Sequence, residues 1–538
     1  MNTFASLSAG ALTGTGALIR LILRRDWIKI LIWVVLVGLV PIGMAASYAE
    51  LYPTPGALQA FADLIMGNPA EVGVLGFVYS ATVGGLTAWR AGLNGAFLIV
   101  PVSILFIIRH TRSEEEAGRR ELLGSTVVGR CAPLTAALVV VFGANLMIAA
   151  IIAGGLIGQG LPSVGALTMG LSAASVGWVF AALAGLTAQL TESPGPARGI
   201  TLAVFGLSWL MRAAGDLGGA PGAEGWLSWL SPLGWVRLTR AFGGEQLWVF
   251  ALPIALVVGL AAAAYTLSAR RDLGAGLLPA RLGAATAAPS LRSPLALAWR
   301  LHRGSLIAWA AGAAVFGFLL GVVGVNMSEF VDAPQFQEWA NRMGVRNAGD
   351  AFLFLIMYTL GQVISAYAIT ATLRLRSEEV EGRADPVLAT PVSRLRWSSS
   401  HLFFAAINST LLLTVLGLMI GLGYGLLAGD VMHEMPRLLV RTLVTLPAVW
   451  VMAGLAAALY GFLPRLATGG TWAAFAVFLA LELGWELQQV SPAIFSISPF
   501  AHVHWAIQVT AAPLIGLAAV AALLTAAGLA GFRRRDVG

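Results

Sequence analysis

Residues 112–130 read RSEEEAGRRELLGSTVVGR, and residues 376–394 read RSEEVEGRADPVLATPVSR. The offset is 264 residues, and nine of the 19 aligned positions are identical: Arg112/Arg376, Ser113/Ser377, Glu114/Glu378, Glu115/Glu379, Gly118/Gly382, Arg119/Arg383, Thr126/Thr390, Val128/Val392 and Arg130/Arg394. Both copies are charged islands in an apolar chain. Each directly follows a hydrophobic stretch long enough to cross a bilayer. A polar island duplicated at one membrane face predicts two equivalent docking points for a soluble partner.

The surrounding chain sets the class. Of its 538 residues, 58% are hydrophobic and 11% charged, where a soluble domain carries about 25% charged residues. Apolar runs of about 20 residues, the length of a transmembrane helix, recur throughout. The fold class is therefore an all-α membrane protein. The net charge of +7 requires no nucleic-acid partner, because much of the arginine clusters beside spans. Cys131 is the single cysteine, which excludes an intrachain disulfide and a Cys-based metal site. In the first 26 residues Arg20, Arg24 and Arg25 come late and abut the first span, which predicts an uncleaved anchor.

Twelve spans are predicted, near 27–48, 89–110, 132–156, 166–190, 197–214 and 247–268, then 304–326, 352–374, 399–427, 438–463, 468–487 and 509–531. The repeat extends beyond the islands. SARRDLG (268–274) closes the first half and FRRRDVG (532–538) the second, and Trp229-Leu230-Ser231-Pro232 is echoed by Ser496-Ile497-Ser498-Pro499. Six is even, so the two six-span halves form a parallel repeat: 1–268, a linker at 269–303, and 304–538. Arginine placement orients them. The islands, the termini and the linker hold most of the arginine, whereas the loops at 157–165, 428–436 and 488–508 have no Arg or Lys. Both termini and both islands are expected in the cytoplasm of a bacterial plasma-membrane protein. Arg237, Arg240, Arg342 and Arg346 are exceptions in longer outer loops.

The linker turns amphipathic at LALAWRLHRG, and the N-terminus has a similar segment, GALIRLILRRDW. Both read as helices lying in the inner interface; the alternative is that they extend the first span of each half. Outside, 215–246 and 488–508 carry Trp226, Trp229, Trp235 and Trp505 beside Ser-Pro breaks, with Trp248 just beyond the first, which predicts short re-entrant helices. Segments 50–86 and 328–350 read as short outer helices.

A helix entered at Ser113 or Ser377 would be N-capped there, with glutamates in its first turn complementing the dipole and Gly118 or Gly382 ending it. A short charged helix held between two spans can push on them when gripped. These features (the S-E-E-x-x-G-R element after span two, the segment before span one, the Ser-Pro helices before span six) resemble the membrane subunit of ABC-2-type exporters. Two fused halves of this length resemble the actinobacterial antibiotic and multidrug exporter permeases of the tetronasin type. The resemblance covers the whole chain. It implies that Glu114, Glu115, Gly118, Arg119, Glu378, Glu379, Gly382 and Arg383 form coupling helices that fit an ATPase subunit, with two copies of that subunit as partners. It also implies export of hydrophobic or amphipathic compounds.

Lys29, in DWIKIL, is the single lysine. A phosphate-binding loop of the form G-x-x-x-x-G-K-[ST] therefore cannot exist here. The chain is expected to be no enzyme and to bind no cofactor, with ATP and magnesium on the partner. The competing reading is a major-facilitator-type drug/proton antiporter. Gly118-Arg119-Arg120 resembles the end of that family's loop motif, but the motif's beginning is absent. A lipid-acting membrane enzyme lacks any acid/base constellation.

Within the spans, Glu482 and Glu486 share one face of span eleven, and Arg212 and Asp216 have the same spacing in span five. They either meet across the pseudo-twofold to gate the pathway or bind a cationic substrate, or lie hydrated at headgroup level. Asn145 and Asn408 occupy nearly equivalent places and either line a cavity or bond helices together. His502 and His504 diverge on a helix, and no metal site is expected there.

Overall fold

The computed structural model describes residues 9–535 except 68, 121–126, 273, 275, 278–285, 287, 326–347, 487–488 and 505–509, and omits the side chains of 69–70, 348–352 and 486. Arg342, Arg346, Trp505, Thr126 and most of the outer segment at 328–350 thus lie outside the described residues, as does the side chain of Glu486. The described residues contain 12 helices long and apolar enough to cross a membrane. A chain in hydrocarbon must satisfy its own backbone, and apolar runs without charge do so as helices.

The chain divides into two units, Met1–Gly283 and Ala284–Gly538. The first holds α1 (Thr15–Leu51), α2 (Val83–Ile108), α3 (Ala132–Gly158), α4 (Ser163–Leu190), α5 (Pro194–Leu217) and α6 (Ala251–Arg270). The second holds α7 (Pro294–Val325), α8 (Ala348–Val380), α9 (Arg394–Ala428), α10 (Leu446–Phe462), α11 (Ala467–Glu486) and α12 (Ala511–Arg534). In the first unit α1 packs on α3, α2 on α4, and α4 on α6. In the second, α7 packs on α9, α8 on α10, and α10 on α12.

Small residues set these contacts. A Cβ at Gly461 of α10 would strike the Gly528 carbonyl of α12, and one at Gly321 of α7 would strike the Ile420 carbonyl of α9. Backbones approach this closely only across glycine, which is how apolar helices gain packing energy without a hydrophobic drive.

Two expectations need correction, and one span is divided. The two segments read as interfacial helices have no break from the spans that follow. GALIRLILRRDW lies inside α1, whose 37 residues extend about 55 Å at 1.5 Å per residue, and LALAWRLHRG lies inside α7. Neither contains the glycine or proline pair that would end a helix at the interface. The predicted tenth span, 438–463, lies, but for its last residue, within one apolar candidate span, Val431–Phe462, which a turn at Val444 and Thr445 divides in two. Val431–Leu443 is a separate amphipathic helix with Glu434, Arg437 and Arg441, and it joins α10 through Val444 and Thr445. The Arg441 guanidinium lies 4.5 Å from the Phe354 ring centroid, which accommodates a cation that averaged hydropathy had absorbed into a span. Finally, neither Ser113 nor Ser377 caps a helix. Ser113 ends a π-helical turn, Arg109–Ser113, that continues α2, and makes no side-chain cap bond, and Ser377 lies within α8. No amide is orphaned there for a hydroxyl to satisfy.

Short helices lie in three of the four segments where they are expected, 50–86, 215–246 and 488–508; most of the fourth, 328–350, lies outside the described residues. Pro55–Met66 and Pro69–Leu75 precede α2, Trp226–Trp229 and Pro232–Leu238 precede α6, and Pro492–Phe495 and Pro499–Val503 precede α12. Both Ser-Pro serines act as N-caps: Ser231 Oγ accepts from the Gly234 amide at 3.1 Å and Ser498 Oγ from the Phe500 amide at 3.3 Å.

Candidate functional site: the charged islands

Each island is a helix end stopped by glycine. Gly118 has φ +69° and Gly382 φ +68°, a left-handed conformation that other residues adopt only at a cost. The Gly118 amide donates to the Glu115 carbonyl at 3.0 Å, and the Gly382 amide to the Glu379 carbonyl at 3.0 Å. The glutamates therefore lie in a last turn, where the dipole disfavours them. Arginines offset this.

The same contacts recur in both units. Arg112 Nε donates to the Thr191 carbonyl at 2.6 Å, and Arg376 Nε to the Pro464 carbonyl at 2.5 Å. Each thereby satisfies a carbonyl at the C-terminal end of the fourth span of its unit. Glu114 pairs with Arg119 at 2.6 Å, and Glu378 with Arg383 at 2.9 Å. Glu115 accepts a two-pronged contact from Arg271 at 2.9 and 3.1 Å, and Glu379 one from Arg535 at 2.6 and 2.6 Å. Arg130 then donates to the Arg271 carbonyl, and Arg394 to the Arg535 carbonyl. Arg271 and Arg535 stand in the closing sequences SARRDLG and FRRRDVG, so the two repeated motifs of each half are bound to each other.

The two copies differ in detail. Glu115 also takes Arg112 at 2.7 Å, Arg120 at 3.4 Å and the Gly274 amide at 3.1 Å, and Arg271 Nε donates to Gln189 at 2.7 Å. Glu114 additionally meets Arg25 of α1 at 2.8 Å. In the second copy, Arg535 lies over Tyr460 and Phe532, with its guanidinium 4.8 and 5.0 Å from the ring centroids. Burial alone would depress the Arg535 pKa; hydrogen bonding to Glu379 together with the Glu379 charge and Tyr460 outweighs it and holds the guanidinium above its ordinary value.

The predicted docking residues thus divide by exposure. Arg112, Glu115 and Glu378 are buried, Glu114, Gly118 and Glu379 partly so, and Arg119, Gly382 and Arg383 are exposed. The free rim is Glu116, Ala117 and Arg119 in one unit, and Val380, Glu381, Gly382 and Arg383 in the other. Val380 is 71% exposed. The identical acids face inward, while the rim carries the differences, Glu116-Ala117 against Val380-Glu381. The acids and the closing sequences that hold Arg271 and Arg535 are each legible as repeats; their pairing is not, because sequence spacing gives no sign of a contact 156 residues away.

The charges within the spans have partners inside their own units. Arg212 is buried and pairs with Asp216 at 3.0 Å; it also donates to the Val74 carbonyl at 2.7 Å. Ser228, on the helix Trp226–Trp229, donates to Asp216 at 3.0 Å. Glu482 is buried and accepts from Tyr358 at 2.8 Å and Gln362 at 2.5 Å. Arg212, Asp216 and Glu482 are thus enclosed and hydrogen-bonded within their own units. Asn145 donates to Ser103 at 3.3 Å and Asn408 to Tyr367 at 3.0 Å, so each bonds the third span of its unit to the second. His504 is buried among Tyr358, Trp485 and Phe495, while His502 contacts the Ser496 carbonyl at 3.0 Å.

Two clusters escaped the sequence reading. His302 and His401 meet at 3.1 Å between α7 and α9. At the other end of the first unit, Glu224 accepts from Tyr79 at 2.9 Å and Arg240 at 3.0 Å.

Comparison with known proteins places these features in a family. A family model described as the C-terminal domain of multidrug efflux system permease Rv1217c matches residues 291–533. The multidrug efflux system permease protein Rv1217c of Mycobacterium tuberculosis (strain ATCC 25618 / H37Rv) is 40% identical over 531 residues, covering 98% of this chain and 95% of the relative.

Proposed function

The chain belongs to the family of multidrug efflux system permeases, and from that premise we propose that it is the membrane subunit of an ATP-driven exporter of hydrophobic and amphipathic compounds. It is a multi-pass membrane protein with 12 candidate spans. The observation that carries the reading is similarity along nearly the whole length to an efflux permease, so that both islands fall inside the shared region. Lys29 stands in DWIKIL, outside any phosphate-binding loop, so the energy source is a separate ATPase, in two copies, one beneath each island. The two units are read as a parallel repeat, with both termini and both islands cytoplasmic and the Ser-Pro helices dipping into the outer leaflet.

The islands supply the mechanism. A helix end stopped by glycine and fixed by guanidinium–carboxylate pairs is a stiff element with a small exposed rim. That is what a nucleotide-driven partner needs in order to move spans without unfolding them. The whole-length relationship favours this reading over the antiporter alternative.

The test is co-expression with a candidate ATPase subunit, followed by purification through a tag on the permease. The ATPase is expected to co-purify and its hydrolysis to be stimulated by transported drugs. A permease that purifies alone and exports drugs without the ATPase would refute the proposal.

A further inference from the structure

We propose that Arg271 and Arg535 are positioning residues for coupling: each latches the island of its half to the foot of that half's sixth span. This rests on the exporter reading above and deepens it. The latch joins Glu115 to Arg271 and Glu379 to Arg535, two contacts with the same sequence separation of 156 residues and the same two-pronged geometry. A planar guanidinium gripping both oxygens of a carboxylate fixes orientation as well as distance. It therefore transmits a turn of the island, not merely a pull.

The island has three stiff attachments. One is the second span, from which it emerges. The second is the carbonyl at the end of the fourth span, held by Arg112 or Arg376. The third is the sixth span, through Arg271 or Arg535. The fourth and sixth spans pack on each other in both units. Force applied at the exposed rim, Glu116–Arg119 or Val380–Arg383, is thus delivered to a pair of packed spans at their ends. Without the latch, the rim would keep the second span, the carbonyl contact and, in the first unit, the Arg25–Glu114 pair, and would lose its direct hold on the sixth span.

The latch is not the docking surface. Glu115 and Glu379 are turned away from the rim, and Arg271 and Arg535 lie at the ends of α6 and α12. Substitution at the latch should therefore leave ATPase binding intact and impair its conversion into transport.

The experiment uses the full permease–ATPase complex in vesicles, measuring basal ATP hydrolysis and dye transport on the same sample. Arg535→Lys keeps the charge and loses the fork; Arg535→Gln together with Arg271→Gln loses both. The ATPase is expected to co-purify and basal hydrolysis to remain. Dye moved per ATP should fall roughly tenfold in the double variant, the scale of coupling between sites, and less with Arg535→Lys. Exchanging the pair, Glu379→Arg with Arg535→Glu, should recover most of the ratio relative to Arg535→Gln.

A latch that only stabilises the fold would lower complex yield and transport together and leave the ratio of folded complex unchanged; that result overturns the proposal. If the Gln variants fail to fold, the Lys and exchanged variants decide on the same ratio. Failure of the unsubstituted complex to assemble would instead refute the exporter reading.

Discussion

At the residue scale, Arg212 is the clearest case of a charge whose position in a span is explained by its partners. Its guanidinium is enclosed, pairs with Asp216 and reaches the Val74 carbonyl. Removing one member of such a buried pair strands the other, at about 3–5 kcal/mol. Asp216→Ala should therefore lower the melting temperature sharply in detergent, and Asp216→Ala with Arg212→Met should recover part of the loss; an unchanged melting curve in the single variant would contradict the assignment. Glu482 has a different role, since its bonds come from Tyr358 and Gln362. Glu482→Gln replaces two charge-assisted bonds by neutral ones, a loss of about 1–3 kcal/mol, and thermal melting again provides the check. The i, i+4 spacing of both pairs was legible in the sequence. That Arg212 and Asp216 satisfy each other was not, because period alone cannot distinguish a pair facing each other from a pair facing a cavity.

At the element scale, the islands show where sequence logic held and where it failed. Glycine as a helix stop was readable from Gly118 and Gly382, and both adopt the left-handed conformation. Gly382→Ala should cost about 1–2 kcal/mol for that reason, measurable as reduced stability, and coupling should suffer because the rim is displaced. The capping expectation failed, since the preceding apolar run does not stop at the first polar residue. Ser377→Ala should therefore change stability by less than about 0.5 kcal/mol, whereas loss of a true N-cap typically costs about 1 kcal/mol. A loss of the larger size would restore the capped-helix reading. Packing elements follow a separate rule. Gly461→Val drives a branched side chain into the Gly528 backbone, and overpacking of this kind costs about 1–3 kcal/mol; the expected signature is separation of α10 from α12, seen as lowered thermal stability.

At the scale of the whole molecule, hydropathy and the internal repeat carried the reading far. Composition identified a membrane protein, and apolar run length located 12 spans. Where it erred, at α1 and α7, the error lay in ends rather than in number. An averaged hydropathy window cannot see that a helix continues into polar sequence or bends between two apolar turns. The repeat was read as a sign of two docking points. In the structure most of its identical residues also hold each half together: Arg112, Glu114, Glu115, Gly118, Arg119 and Arg130 each have a counterpart with the same contact or backbone conformation. An internal repeat reports what two halves must both do, and building a rigid island is as demanding a task as binding a partner.

The most direct test of the account is transport into inverted membrane vesicles containing the permease with and without its ATPase. The account predicts uptake of a drug-like fluorescent dye only when the ATPase and ATP are both present, blocked by vanadate and insensitive to a protonophore. Uptake by the permease alone, driven by a proton gradient and abolished by the protonophore, would contradict it.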